Sequence, residues 1–412
     1  MLYGCIGEKL GHSFSKEIHN KIGAYSYELR EIAPDALDAF MQAKDFRGIN
    51  VTIPYKERVL MHLDEIDESA RAIGAVNTVV NRGGKLYGYN TDFYGMEGLI
   101  RHAGISIEGK KVAILGTGGT AKTANAVAKS LGAAEILTVS RKKEAGRILY
   151  DELYQKHRDT QIIINTTPVG MYPNADVSPL DLTLFKKLSG VIDAVYNPLD
   201  TNLICQAKKR AIAAEGGLFM LVAQAVRASE IFMNTEYDGG LLEKIYKSIL
   251  AEKKNIVLIG MPASGKTTVG RIVAQKMKKS FSDTDVLVAL TSGESIPYIF
   301  KKHGEKEFRR REAVQIQNVS ALVGAVIATG GGAILSRKNV NNLMQNGHIF
   351  FLDRSPELLI PTEDRPLGST KEDILKRYEE RYALYCDSCH TRIAADGDPE
   401  EIAEKIIEEF LK

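Results

Sequence analysis

Short apolar runs alternate along this chain with longer segments in which apolar positions recur every three to four residues, the signatures of strands and amphipathic helices in turn. Runs such as "KVAIL" (111–115) and "NIVLI" (255–259) are largely apolar on both faces. Both of their sides must be covered, which predicts an α/β protein with largely parallel sheets and helices on each face. Strands are predicted at "MLYGCIG", "YSYELREI" and "GINVTI", with helices beginning near Ser15, Pro34 and Pro54. A second set follows at "KVAIL", "EILTVS", "QIIIN" and "GVIDAV", and residues 201–250 return to helix. A charged helix, "GLLEKIYKSILAEKK", then meets "NIVLI" with almost no loop, placing a boundary near 251–254. The expected domains are 1–254 and 255–412, the first split into a layer of residues 1–100 with about 220–250 and a second body over 101–219.

Two of the apolar strands run into glycine turns. After "KVAIL" come Gly116, Gly118, Gly119 and Ala121 and then a helix, the spacing of a dinucleotide-binding Rossmann turn. Glycine lets the main chain approach a pyrophosphate, and the helix start supplies N–H groups. The next strand ends in Ser140, Arg141 and Lys142 rather than in an acid, which suits a 2′-phosphate and so NADP(H). By itself such a turn also closes ordinary strand–helix units, and the cations could be a solvated helix start. The second turn, Gly260 to Thr267, is a P-loop between a strand and a helix. Gly260, Ser264, Gly265, Lys266, Thr267 and Thr268 would cradle ATP phosphates, with the Thr267 hydroxyl on Mg²⁺.

Composition narrows the partners. The 412 residues carry 54 basic and 52 acidic side chains, a net charge of +2, too balanced for a nucleic-acid or polybasic membrane binder. Small molecules are the expected partners. Four cysteines argue against a disulfide framework, and with no export signal or uncharged spanning segment the expected location is cytoplasmic. "CDSCH" (386–390) has the spacing of a haem-attachment motif or half a zinc site, yet no second Cys-x-x-Cys completes it; His390 more simply begins the strand "TRIAA".

The segments "LGHSFSKEIHN", "GINVTIPYKE", "GAVNTVV", "YNTD", "INTTPVGM", "DAVYNPLDT" and "MLVAQA", in this order, make residues 3 to about 250 resemble shikimate dehydrogenases. The resemblance implies that Ser13 and Ser15 hold the substrate carboxylate and that Thr52, Asn77, Asp92 and Gln224 bind ring hydroxyls. It makes Lys56 and Asp92 the catalytic pair, sets Asn165, Thr166 and Met171 against the cofactor, and puts Tyr196 and Gly217 beside the nicotinamide or substrate. The residue types suit the reaction, because hydride reduction of a ketone leaves an alkoxide that needs a positioned proton donor. Taken singly, Lys56 could be a solvated lysine, Asp92 a helix cap and Ser15 an N-cap. Family members often carry Asn-Arg-Thr where this chain has Ser140-Arg141-Lys142.

Beyond the P-loop, "FSDTD", "GEKEFRRREA", "TGGGAIL", "DRPLG" and "RYALY" resemble shikimate kinases in order and spacing. This implies Asp283 near Mg²⁺, Asp285 at the acceptor hydroxyl, Arg309 and Arg381 on the shikimate carboxylate, Gly330, Gly331 and Gly332 along the ring, and Arg365 closing with a lid. "FRRRE" alone could be a solvated charged helix, and "SPELLIPTED" lacks the basic residue expected opposite the adenine.

Together these resemblances imply NADPH-dependent reduction of 3-dehydroshikimate to shikimate, followed by ATP-dependent phosphorylation to shikimate 3-phosphate. The alternatives are a non-catalytic sensor of shikimate or nucleotide, and an NAD-dependent quinate dehydrogenase joined to the kinase. Oligomeric state and the orientation of the halves are not set by sequence.

Overall fold

The computed structural model describes residues 1–10, 14–360 and 370–412, so Ser13 and Arg365 lie outside the described residues. The chain divides into two units, Met1–Met171 with Val177–Ile249, and Tyr172–Asp176 with Leu250–Lys412.

The first unit holds two six-stranded sheets. Its first sheet comprises β1 (Tyr3–Gly7), β2 (Glu28–Glu31), β3 (Gly48–Val51), β4 (Glu65–Ile66), β5 (Thr78–Arg82) and β6 (Lys85–Tyr89), in the order β2-β1-β3-β5-β6-β4. Parallel strand–helix units account for only part of it: β3 pairs antiparallel with β5, and β5 with β6. The β5–β6 hairpin turns through Gly83 and Gly84, both at positive φ, the geometry a two-residue hairpin loop requires. The helix expected near Pro54 is instead a short 3₁₀ turn, Arg58–His62, after the turn through Pro54. Fully buried Ile6, Ile49, Val79 and Leu86 pack one core on this sheet, each contributing about 1.5–3 kcal/mol by leaving water.

The second sheet is parallel throughout, with β7 (Lys111–Leu115), β8 (Glu135–Ser140), β9 (Ile148–Leu149), β10 (Ile162–Asn165), β11 (Gly190–Asp193) and β12 (Ala213–Glu215) in the order β12-β11-β10-β7-β8-β9. The three-residue β12 interrupts the stretch expected to be helical. Strand order reverses between β7 and β10, so their C-terminal ends open a crevice, the usual nucleotide position in such sheets. The helices Thr91–His102 and Leu218–Met233 pack closely because residue 95 is glycine: a Cβ there would stand 2.7 Å from the Met220 carbonyl oxygen.

The second unit is built on one parallel sheet, β13 (Asn255–Ile259), β14 (Ser280–Asp283), β15 (Ala325–Ala328), β16 (Gly347–Asp353) and β17 (Thr391–Ala394), ordered β14-β15-β13-β16-β17. Every residue of β13 and β15 is buried, as their unbroken apolar runs require. Apolar clusters flank the sheet on both faces, one including Val257 and Phe351, the other Ile256 and Phe350. His390 precedes β17 and pairs with the main chain of Ile349 through both its N–H and its ring Nδ1. Cys386 and Cys389 are free thiols. Among the described residues no helix is long and apolar enough to cross a membrane.

Candidate active sites

In the first unit Lys56 stands just beyond the Pro54 turn. Tyr55 is fully buried, with its hydroxyl on the Ile32 carbonyl, and the Lys56 carbonyl accepts from Val76 N at 2.9 Å. With its main chain so held, the side chain reaches Asp92, Nζ to Oδ2 at 2.5 Å. Asp92 lies inside the first turn of the helix Thr91–His102, where the helix dipole favours a carboxylate. The cap is Asn90, whose Oδ1 accepts from Phe93 N, so Asp92 is not spent on capping and its other oxygen accepts from Asn77 Nδ2 at 2.9 Å. Asn77 is itself fixed: its Oδ1 accepts from Thr91 N at 2.8 Å and from the Thr78 hydroxyl at 3.1 Å. The result is an ammonium–carboxylate pair locked from behind.

Other predicted residues border this pair or the crevice. Gln224 sits at the crossing beside Gly95, one turn from Asp92. Thr52 follows β3 with its methyl group packed towards Gly7. Ser15 is the first residue of the helix Ser15–Ile22, whose cap position belongs to Phe14, and the Phe14 and Tyr196 rings lie 5.4 Å apart. Gly217, which caps the helix Leu218–Met233, has no room for a side chain against the Ala194 carbonyl.

At the crevice, Gly116 has φ of 117°, and a Cβ there would stand 2.7 Å from Thr166 Oγ1, which donates to the Leu115 carbonyl. A Cβ on Gly118 or Gly119 would meet no protein atom within 4 Å, so internal packing does not demand glycine at either position. A pyrophosphate brought against the main chain does, and these residues fit a dinucleotide. Ser140 is buried and its Oγ accepts from Lys142 N at 3.1 Å, leaving the Arg141 and Lys142 side chains exposed at the end of β8. Ala121 is buried on the helix Gly119–Ser130, and Met171 is exposed. Asn165 is fully buried: its amide holds Asp193 at 2.9 Å and its oxygen accepts from Thr167 N, so its side chain acts by shaping the turn that carries Thr166. Asp193 also accepts from Val195 N at 3.0 Å and the Thr201 hydroxyl at 2.6 Å, yet burial pushes its carboxyl up to about 7. A groove of about 1200 Å³ along the helix Gly119–Ser130 contains none of Lys56, Asn77 or Asp92, so volume alone does not mark the chemistry.

In the second unit a cavity of about 720 Å³ gathers Gly265, Lys266, Thr267, Thr268, Asp283, Asp285, and further on Arg309, Gly331, Gly332 and Arg381. The glycine turn is shaped by Gly260 and Gly265 at positive φ, and Lys266 Nζ rests on the Gly260 and Met261 carbonyls at 2.9 and 2.7 Å, with Ser264 Oγ at 3.4 Å. Thr267 Oγ1 donates to Asp283 Oδ2 at 2.7 Å. This hydroxyl–carboxylate pair is an all-oxygen donor set that fits Mg²⁺ completed by phosphates and water. Asp283 meanwhile caps the helix Thr284–Ser292 through Asp285 N.

The other half of the cavity is organised by Gly330–Gly332. A Cβ on Gly330 would stand 2.5 Å from Asp285 Oδ1 and 2.6 Å from Glu312 Oε1, and one on Gly332 would overlap the Arg309 guanidinium. Arg381 and Tyr385 both donate to the Gly331 carbonyl. The helix starting at Ile296 breaks at Gly304 and resumes through Ser320, carrying Arg309, Arg310 and Arg311 on its second part. Arg310 is exposed and pairs with Glu307, Arg311 is half-buried between Glu307 and Glu294, and Arg309 bridges Glu305 and the buried Glu312, the latter at 2.9 Å. Burial raises the Glu312 carboxyl against the pull of Arg309, and burial lowers Arg381. Two guanidinium groups beside a glycine run suit a carboxylate acceptor.

Residues 5–79 match the family model described as the shikimate dehydrogenase substrate binding domain, and residues 262–411 match the one described as shikimate kinase. The shikimate dehydrogenase (NADP(+)) of Clostridium perfringens (strain SM101 / Type A) is 40% identical over 266 residues, spanning 60% of this chain and 98% of its own length. The chain belongs to the shikimate dehydrogenase family. A chorismate mutase/shikimate 5-dehydrogenase fusion protein from Clostridium acetobutylicum is 37% identical, with a TM-score of 0.56 over 60% of this chain and 96% of its own. Shikimate 5-dehydrogenase from Thermus thermophilus, solved with NADP(H) and shikimate, is 29% identical with a TM-score of 0.54, covering 60% of this chain and 99% of its own.

The protein is thus an NADP-dependent shikimate dehydrogenase carrying a shikimate kinase domain, an oxidoreductase and an ATP-using phosphotransferase in one chain. Sequence reasoning did not single out three residues of these sites. Asn90 frees Asp92 from capping; Glu312 orients Arg309; Arg354 lines the kinase cavity. Glu312 carried a signal in its i,i+3 spacing from Arg309 on one helix, and Asn90 in being a favoured N-cap type just before one.

Proposed function

We propose that the dehydrogenase unit reduces 3-dehydroshikimate to shikimate and that the kinase unit phosphorylates shikimate to shikimate 3-phosphate. The observation that carries this reading is the Lys56–Asp92 pair at 2.5 Å, clamped by Asn77. NADPH, when bound, supplies the hydride, and ATP with Mg²⁺ supplies the phosphoryl group. Lys56 gives its proton to the oxygen that gains charge as the ketone is reduced, while Asp92 keeps the ammonium aimed. Gln224 and Thr52 would bind ring hydroxyls, and Ser13 and Ser15 the carboxylate. Arg141 and Lys142 would meet the 2′-phosphate, Gly116–Gly119 and Thr166 the pyrophosphate, and Tyr196, Gly217 and Met171 the region of the nicotinamide.

In the kinase unit Arg309 and Arg381 would fork onto the substrate carboxylate and Asp285 would accept the hydroxyl proton. Lys266 would turn from the loop carbonyls to the phosphates, and Thr267 with Asp283 would hold Mg²⁺. The test is one incubation of the whole chain with 3-dehydroshikimate, NADPH, ATP and magnesium. The expected result is NADPH oxidation and accumulation of phosphorylated shikimate. NADPH oxidation ending at free shikimate would leave the kinase assignment wrong, and phosphorylation of added shikimate without NADPH oxidation would leave the reductase assignment wrong.

A further inference from the structure

Among the described residues, five cations line the kinase cavity: Lys266, Arg309, Arg354, Arg377 and Arg381. Arg309 and Arg381 belong to the glycine run, as described above. Arg354 instead stands beside the phosphate loop, its Nη1 3.9 Å from where a Cβ on Gly265 would be. It is the first residue after β16, whose Phe351 lies in register with Ile259 at the end of β13, the strand that launches the loop. The next residue fixes the corner: Ser355 donates to Asp396 through its main-chain N at 2.7 Å and its hydroxyl at 2.5 Å. Those bonds hold the Asp396 carboxyl below its ordinary value, with the Arg354 charge adding to the effect. Asp396 is therefore already occupied by Ser355.

The Arg354 Nε is buried and makes no hydrogen bond. A buried guanidinium N–H without an acceptor is unfavourable, and a cation set against N–H groups that themselves attract anions is doubly so. The Nε is closed off from ligands, but Arg354 also lines the cavity, and an oxyanion there would bring a counter-charge to its guanidinium and an acceptor to the loop N–H groups. We propose that Arg354 contacts the phosphates of the bound nucleotide, sharing with Lys266 the neutralisation of the polyphosphate chain. This rests on the kinase reading of the second unit.

The experiment titrates the full chain with ADP, pyrophosphate and adenosine, as wild type, Arg354→Ala and Arg354→Lys. Losing a charge-assisted contact should weaken ADP and pyrophosphate about tenfold in the alanine variant, with partial recovery in the lysine variant. The KM for shikimate and the dehydrogenase rate should not move. Unchanged ADP affinity overturns the proposal. A loss of adenosine affinity equal to that of ADP overturns it too, since Arg354 would then act on the base. If the wild-type chain bound no ADP, the kinase reading itself would fail and this inference with it.

Discussion

Asn77 and Asp92 are joined by a single 2.9 Å hydrogen bond that decides which carboxylate oxygen faces Lys56. The Asn77 oxygen is anchored by Thr91 and Thr78, so its amide cannot flip without breaking those bonds. In the role proposed above, Lys56 is effective only where its proton is aimed, and Asn77 sets that aim from behind the pair.

Lys56→Ala should therefore lower dehydrogenase kcat by about 10²–10⁴. Asn77→Ala, which leaves the lysine but releases Asp92, should cost less, about 10–10². Steady-state rates with shikimate and NADP⁺ check both, and an unchanged KM for NADP⁺ reports that the dehydrogenase unit is folded. An unaltered rate in the Lys56 variant would remove it from the proton-transfer role.

Gly332 should tolerate no side chain, because a Cβ there would overlap the guanidinium that Glu312 holds. Gly332→Ala is expected to push Arg309 aside and raise the kinase KM for shikimate about tenfold to a hundredfold, the usual worth of a charged hydrogen-bond pair. The KM for ATP should change little. Equal changes in both constants would point to a general collapse of the cavity instead.

Arg141 is exposed at the end of β8, beside a Lys142 whose main chain is tied to Ser140. If it reads the 2′-phosphate, Arg141→Ala should raise the KM for NADPH about tenfold and leave NADH nearly untouched. Parallel assays with the two cofactors decide it, and an equal loss with both would assign Arg141 elsewhere.

These sites were legible from sequence to different depths, for physical reasons. "KVAIL" and "NIVLI" reveal themselves because a strand covered on both faces has no choice but to be apolar throughout. The β5–β6 hairpin does carry a signal, Gly83-Gly84 between two short β-rich runs, which a purely parallel strand–helix pattern leaves unused; β12 carries none, because three residues have no period. Three consecutive arginines in "FRRRE" look alike in a string; what sets Arg309 apart is its pairing with the buried Glu312 and its approach to Gly332, which depend on how the helix lies against the glycine run. Asp92 read equally well as a cap until Asn90 took that place. Arg354 carried no signal, since its relation to Gly265 depends on which strands lie side by side.

Asp193 gives the dehydrogenase unit a pH dependence with a definite sign. Its folded carboxyl, buried among Asn165, Val195 and Thr201, is raised from an ordinary value of 3.8 to about 7. The folded state therefore keeps a proton that the unfolded chain has already lost, and folded stability must fall as pH rises through that window and level off above it. Three pKa units set an upper bound of about 4 kcal/mol on the change. Asparagine resembles the protonated acid: its oxygen can accept from Asn165 and Val195 while its amide meets the Thr201 hydroxyl. Asp193→Asn should abolish this contribution to the slope, so the variant gains on the wild type from about pH 4.5 to 7 and holds that gain above it. Denaturant unfolding of both proteins, followed through loss of dehydrogenase activity at each pH, measures the difference. Stability curves that stay parallel would show that Asp193 is ionised in the folded protein and that its three donors outweigh burial.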